Sequence, residues 1–510
     1  MSDPSQRPSR EEIEKRKTEV RRAQRELREK QKVAGMVGPP RASIPNSTSP
    51  LKSVEEEQAA REKTTTEQAR IIRARLPTLL KRFSEIEDPR QPKKPKHKLA
   101  VILLYGILTF VFQCTSRREA NRTLTRAMFV KNLYLLFPDL DSIPHHDTVN
   151  RLLCDIDVNK IEAALIDVVR DFIRDKKFAR YLISKCYPIA VDGSQKLVRD
   201  TQWCTETLQR EIKKGDDTAN QHYVYVLEAN LAFRNGMTIP LMSEFLSYPD
   251  GSVENAKQDC EQKAFHRLAE RLKKEFSHLP IMILLDGLYP NGPIMALIRK
   301  MNWDFMIVLQ DKSLPSVWQE VEGLRKLQTG NDLFRQWNKR QQHFWWVNGI
   351  DYTYGENNRL HQKVHVVICE ESWLDIDSET AKEIPRTSRH AWISSRSLNA
   401  GNVHERCNLG ARHRWSGTES SFLVEKHQGY QYEHLFSYDW EAMKGYHYLM
   451  RLGHMFNVLA QHASSLVDAV RTLGFRGLIE FVVSTISGPW LNPQTVLERM
   501  AAPFQLRFRH

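Results

Sequence analysis

The 510 residues exceed what one hydrophobic core usually organises, and at about 150 residues per domain they divide into two to four units. Lysine and arginine number 75 against 62 acids, a net charge of +13, so the expected partner is a polyanion, with nucleic acid and an anionic membrane both qualifying. Hydrophobic residues at 41% and aromatics at 9% exclude a wholly disordered chain.

The N-terminal sequence MSDPSQRPSREE is too polar for a signal peptide. Between Glu11 and Lys32 charges of both signs alternate, and Ile13, Val20 and Leu27 recur every seven residues, which predicts a solvated helix with a thin apolar seam. AGMVGPPRASIPNSTSP then has linker composition, so residues 1–68 read as a basic arm on a tether, with a solvated tail as the alternative. A helical region is expected over 69–180. It contains the proline-spaced lysines Lys93, Lys94, Lys96 and Lys98, a basic strip suited to phosphates, with a solubilising loop as the alternative. The apolar run Leu99 to Phe112 falls short of the ~18 to 20 residues of a membrane span. Further on, Asp147 or Thr148 is the expected N-cap of a helix carrying Val149, Leu152 and Leu153. His145 and His146 beside it have no third ligand at helical spacing and read as structural or capping residues.

From 181 to 330 the pattern becomes α/β. YPIAVDGSQ reads as a buried strand ending in Asp192, and HYVYVLEANLAF and MTIPLMSEFL read as strands around an Asn235-Gly236 hairpin turn. An amphipathic helix from about Glu254 to His278, a strand ending in Asp286, a short helix over Pro293 to Met301 and the strand WDFMIVLQ complete the order β-β-β-α-β-α-β. That order matches an RNase H-like core. Residues 331–400 alternate like a small β-rich insertion, and helix resumes near Val403, with 401–460 completing the core and 461–510 forming a C-terminal helical region. The seven cysteines are scattered without a C-x-x-C pair, so neither a disulfide framework nor a zinc site is expected, and the whole reads as a soluble, cytoplasmic protein.

Asp192 and Asp286 each end an apolar run, where a carboxylate costs several kcal/mol unless it gains a cation or several donors. Each is followed by glycine, Gly193 or Gly287, expected to leave room beside the acid; singly, an Asp-Gly reads as a turn. In the expected sheet the two strands are neighbours, which brings both acids to one edge. A third carboxylate belongs on a helix across that edge, and Glu419 is the candidate, with Phe422 and Leu423 anchoring its helix and Lys426 two turns along the same face. The alternative is a solvent-facing acid. Three such carboxylates suit two Mg²⁺ ions, or Mn²⁺ in their place, for phosphoryl transfer on nucleic acid. His434 and His447, and the tryptophans Trp392, Trp415, Trp440 and Trp490, read as packed side chains.

AVDGSQ at Asp192, LLDGLYPNG at Asp286, RHRWSGTESSFLVEKHQGYQYEH at Glu419, and the upstream stretches LPTLLKRFSEIEDPR and HHDTVNRLL resemble the DDE transposases, specifically the cut-and-paste bacterial group named after insertion sequence four. That group's signature is Tyr, two residues, Arg, three residues, Glu, six residues, Lys. Glu419 and Lys426 fit its second half, whereas Trp415 stands in the arginine slot and Arg412 in the tyrosine slot, with Arg414 displaced by one. Arg414 is therefore preferred over Arg412 as the matching arginine. The resemblance implies 3′-end cleavage of DNA at transposon ends and strand transfer into target DNA, by a homodimer on paired ends. Asp192, Asp286 and Glu419 would be catalytic and metal-binding, and Arg414 and Lys426 would sit on terminal phosphates. It also implies an aromatic of the insertion stacked on a flipped base, for which Trp345 and Trp346 qualify by type and location alone, core packing being the preferred reading of both. Two rivals are a non-transposing nuclease on the same core and a transposase-derived DNA-binding protein without activity.

Overall fold

The computed structural model describes residues 8–36, 44, 46–90, 96–214, 217–247 and 260–509, apart from the side chains of 214, 217 and 415–420. In chain order the helices α1 (Arg10–Val33), α2 (Val54–Arg73), α3 (Leu76–Ser84), α4 (Leu99–Val111), α5 (Arg117–Thr123), α6 (Ala127–Leu136), α7 (His146–Asp155) and α8 (Asn159–Arg174) come first. Strands β1 (Tyr187–Arg199), β2 (Leu208–Lys214), β3 (Asp217–Ala232) and β4 (Thr238–Leu246) follow. Next come α9 (Glu261–Glu275), β5 (Ile281–Leu285), α10 (Gly292–Lys300), β6 (Asp304–Val308) and α11 (Pro315–Arg325). Strands β7 (Asp332–Trp337), β8 (Arg340–Tyr354), β9 (Leu360–Ile376) and β10 (Glu383–Ser394) precede a π-helical turn at Glu405–Ala411. The chain then runs through α12 (Arg412–His427), α13 (Trp440–His462), α14 (Val467–Ser487) and α15 (Pro493–Ala501). Among the described residues, no helix is long and apolar enough to cross a membrane.

These mixed α/β elements form two compact units, each assembled from separated stretches: Met1–Ala42 with Leu285–Ala411, and Ser43–Leu284 with Arg412–His510. In the second unit β3 is central. β1 runs antiparallel along one edge, β2 and β4 share the other in succession, and β5 lies parallel to β1. The hairpin at Asn235-Gly236 forms as expected, with Gly236 at φ 82°. β2 was not expected: LQREIKK is charged on both faces and offers only Leu208 and Ile212 as apolar residues, too few to mark a strand. β1 also continues beyond Asp192 to Arg199, because Gly193 to Gln195 and Leu197 to Arg199 keep partners in β3 across a bulge at Lys196.

The helical layer of this unit is organised by α13, which is buried over nearly its whole length against α4, α7, α8 and β4. α4 is buried at every position except Ala100, which explains an apolar run of helix length inside a globular chain. Close approach relies on small residues: a Cβ on Gly453 would lie 2.7 Å from Phe110 Cβ, and one on Gly106 would lie 2.7 Å from Leu449. The helix α7 is capped by His145, whose ring accepts from the N–H of Asp147, so neither Asp147 nor Thr148 is the N-cap. His146, at the first helical position, is buried and bonded to Thr109 Oγ1 at 2.9 Å.

In the first unit β6, β10, β9, β8 and β7 form an antiparallel sheet in that order. α1 lies against β9. Leu27 is its one buried side chain among the described residues, Lys30 pairs with Glu383 at 2.7 Å, and Gln336 Nε2 donates to the carbonyl of Gly35.

Candidate active site

β1 enters the core through Ile189, Ala190 and Val191, and Asp192 is where its burial first relaxes. The Asp192 side chain retains 16% exposure. Its Oδ1 accepts the N–H of Gly193 at 3.0 Å, and Oδ2 accepts from Arg414 Nη1 at 3.2 Å. Arg414, at the start of α12, is itself 10% exposed, so this is a poorly solvated ion pair rather than a surface one. Across the ladder Asp192 faces Glu228 of β3, and Gly193 faces Leu227.

Gly193 does not leave open space. A Cβ there would lie 2.5 Å from the Tyr225 ring and 2.8 Å from Glu261 Oε1, two side chains that hydrogen-bond to each other. Gly287 is crowded in the same way by Gln310, whose Nε2 lies 2.5 Å from where a Cβ would be. The two glycines therefore accommodate neighbouring protein side chains.

Asp286 directly follows β5, every residue of which is buried, and its Oδ1 accepts the N–H of Leu288 at 2.9 Å. This acid does cap a turn, whereas Asp192 and Gly193 are paired strand residues. Ala190 and Leu284 are register partners in the parallel β1–β5 pair, and each aspartate stands two residues beyond one of them.

The helix α12 packs on β1 and β3. Residue 419 belongs to it, but the side chain of Glu419 lies outside those described, as does that of Trp415. Ser421, Phe422 and Glu425 are buried. Leu423 is 51% exposed and does not anchor the helix, because the buried face follows Arg414, Ser421 and Glu425 at seven- and four-residue steps, and Leu423 lies opposite it. Lys426 is partly buried, 3.2 Å from Glu433 and over the Tyr432 ring. Arg412 is half-buried at the N-terminus of the same helix.

Beneath α12 is a buried ionic cluster that the sequence did not reveal. Glu228, Glu425 and Arg451 have essentially no exposure, and the guanidinium reaches Glu228 Oε2 at 3.0 Å and Glu425 Oε1 at 3.1 Å. His447 lies 3.0 Å from Glu228, and His454 lies 2.6 Å from Glu425. Burial alone would raise both carboxyls, but Arg451 with His454 holds Glu425 down to about 2, and Arg451 with His447 holds Glu228 below the usual range. Lys196, also buried, donates to the carbonyl of Tyr432 at 2.9 Å, and burial brings it down to about 8. The signal was available only as single charges inside apolar runs, VYVLEANLAF and HYLMRLGHMF.

Of the basic strip, Lys96 is exposed, Lys98 pairs with Asp141 at 2.9 Å, and Lys93 and Lys94 lie outside the described residues. Trp345 and Trp346 are buried in the antiparallel sheet, with Arg325 stacked 3.8 Å above Trp345. Their burial leaves no open ring face for a base. His434 packs edge-on against Phe436. Among the described residues, no three His, Cys, Asp or Glu side chains gather closely enough to hold a metal ion.

Residues 80–169, from within α3 to within α8, match the family model described as DDE_Tnp_1-associated. The match indicates a DDE-type transposase relative. No curated protein matches the chain.

Proposed function

We propose that the protein is a cut-and-paste DNA transposase of the insertion-sequence-four group, cleaving DNA at transposon ends and joining the 3′ ends to target DNA. The observation that carries this reading is the Asp192–Arg414 pair, which ties α12, the helix bearing Glu419, to the strand bearing the first acid. Two further features support it: the order β4-β3-β1-β5, antiparallel except for the last pair, suits an RNase H-like core, and the family match lies in the helical region upstream.

Asp192, Asp286 and Glu419 are the residues assigned to hold Mg²⁺, with Mn²⁺ able to substitute. Carboxylate oxygens on a strand and a turn are the hard donors such ions take. When bound, paired divalent ions activate a hydroxyl nucleophile and stabilise the leaving oxygen. Arg414 orients the Asp192 carboxylate, and Arg414 with Lys426 supplies positive charge for terminal phosphates. The helical region, with Lys93, Lys94 and Lys96, takes the transposon end, and a homodimer holds two ends together. Cytoplasmic location, on the nucleoid when bound, belongs to the same proposal.

One observation favours a second reading, a transposase-derived DNA-binding protein: a guanidinium already occupies the first acid. Catalysis separates the two. Full-length protein with Mg²⁺ and the DNA flanking its own gene is expected to yield defined 3′ ends that join to target DNA. Asp192→Asn, Asp286→Asn and Glu419→Gln are each expected to slow cleavage by about 100-fold or more with DNA affinity retained. Binding without cutting by the parent protein selects the inactive reading, and cutting without joining selects a nuclease.

A further inference from the structure

The guanidinium of Arg451, on α13, is shared by two carboxylates from different layers. Nη1 donates to Glu425 Oε1 on α12 at 3.1 Å, while Nη2 lies 3.0 Å from Glu228 Oε2 and donates to Asn230 Oδ1 at 2.7 Å, both on β3. His454, one turn beyond Arg451, reaches Glu425 at 2.6 Å, and Ser243 of β4 donates to Glu228 at 2.7 Å. Glu228 is also the residue opposite Asp192 in the β1–β3 ladder. Glu425 stands eleven residues, close to three turns, beyond Arg414, so both project from the face of α12 that meets the sheet.

Two carboxylates buried this close repel each other unless a cation spans them. Apolar side chains of similar volume would generally pack at least as stably as such a cluster. What the fork adds is direction, because its two N–H arms fix angle as well as distance. We propose that Arg451 is a positioning residue: by gripping Glu425 on α12 and Glu228 on β3, it fixes the rotation and height of α12 over β1, and with them the Asp192–Arg414 pair and the helical turn that carries residue 419. Its consequence for catalysis rests on the proposed transposase reading; the mechanical claim about α12 does not.

The test uses full-length Arg451→Met and Arg451→Lys, with the charge-neutral double variant Glu425→Gln/Arg451→Met. Two readouts are taken: backbone hydrogen exchange of residues 412–427 against α4 as an internal reference, and single-turnover cleavage of end DNA alongside DNA affinity. Arg451→Met is expected to speed exchange in 412–427 by about tenfold or more while α4 stays protected. Cleavage is expected to fall by about tenfold or more at unchanged DNA affinity, with Arg451→Lys recovering part of both. If Arg451→Met does not fold, the double variant, in which Glu228 is the one carboxylate left without the guanidinium, and Arg451→Lys decide alone. Exchange in 412–427 that stays at the parent rate in a folded Arg451 variant overturns the proposal. So does a double variant with parental exchange and cleavage, since packing without the guanidinium would then position the helix equally well. Asp192→Asn is the control for the reading itself: if it cuts as fast as the parent, the transposase assignment fails, while the exchange data still judge the clamp.

Discussion

Crowding, rather than backbone conformation, fixes glycine at 193. A methyl group there displaces the Tyr225–Glu261 pair on the face of β1 turned away from Asp192, so Gly193→Ala is expected to cost about 1–3 kcal/mol, read as a lower urea midpoint at unchanged slope. The acids Asp192 and Asp286 were legible because a carboxylate closing an apolar run is conspicuous in one dimension. Glu228, Glu425 and Arg451 were not, since Glu228 and Arg451 are each one charge among apolar neighbours, Glu425 stands beside Lys426 like any helix-surface acid, and the justification of each is a partner from a distant element. Leu423 was misplaced for a related reason: the face a helix buries is set by what it docks on, and here Arg414 and Glu425 set it.

Among the elements, α13 determines how tightly the helical layer closes. Gly453 meets the Phe110 side chain and the backbone of Phe110 and Val111, none of which can move independently of α4, so Gly453→Ala is expected to destabilise by about 1–3 kcal/mol. A thermal melt showing a loss of several degrees checks this, and an unchanged melt argues that the two helices slide freely. The strands β1, β3, β4, β5 and β6 and the helices α9 and α10 follow the order read from periodicity, because each buries one face or both. β2 escaped because it lies at an edge where charged residues serve as well as apolar ones, and the α7 cap was only half read, since Asp147 or Thr148 was preferred while an imidazole already assigned a structural or capping role does the capping.

At the scale of the molecule, charge and burial predict opposite responses to solution conditions. The net charge of +13 implies DNA affinity that falls steeply with salt, and removing residues 1–36, whose helix is mostly exposed and net basic, is expected to reduce the slope of log K against log salt. Acid acts on the fold. Burial brings the imidazoles of His146 and His462 down to about 3, so below pH ~6.5 the unfolded chain binds protons that the native histidines refuse, and stability falls with pH. At pH 5 each contributes a loss of about 2 kcal/mol, visible as a lower denaturation midpoint than at pH 7.5, and replacing either by an uncharged isostere is expected to flatten the curve.

The burial of α4 against α13 also has a cost during translation. The apolar helix is finished by residue 111, whereas the helix that covers it begins at residue 440. At about 5–20 residues per second, the ribosome leaves that greasy surface waiting roughly 15–70 s for its lid, long enough for a nascent-chain chaperone to be needed. Stalled or truncated chains ending before Trp440 are therefore expected to precipitate, and co-expressing the missing C-terminal piece is expected to return them to the supernatant.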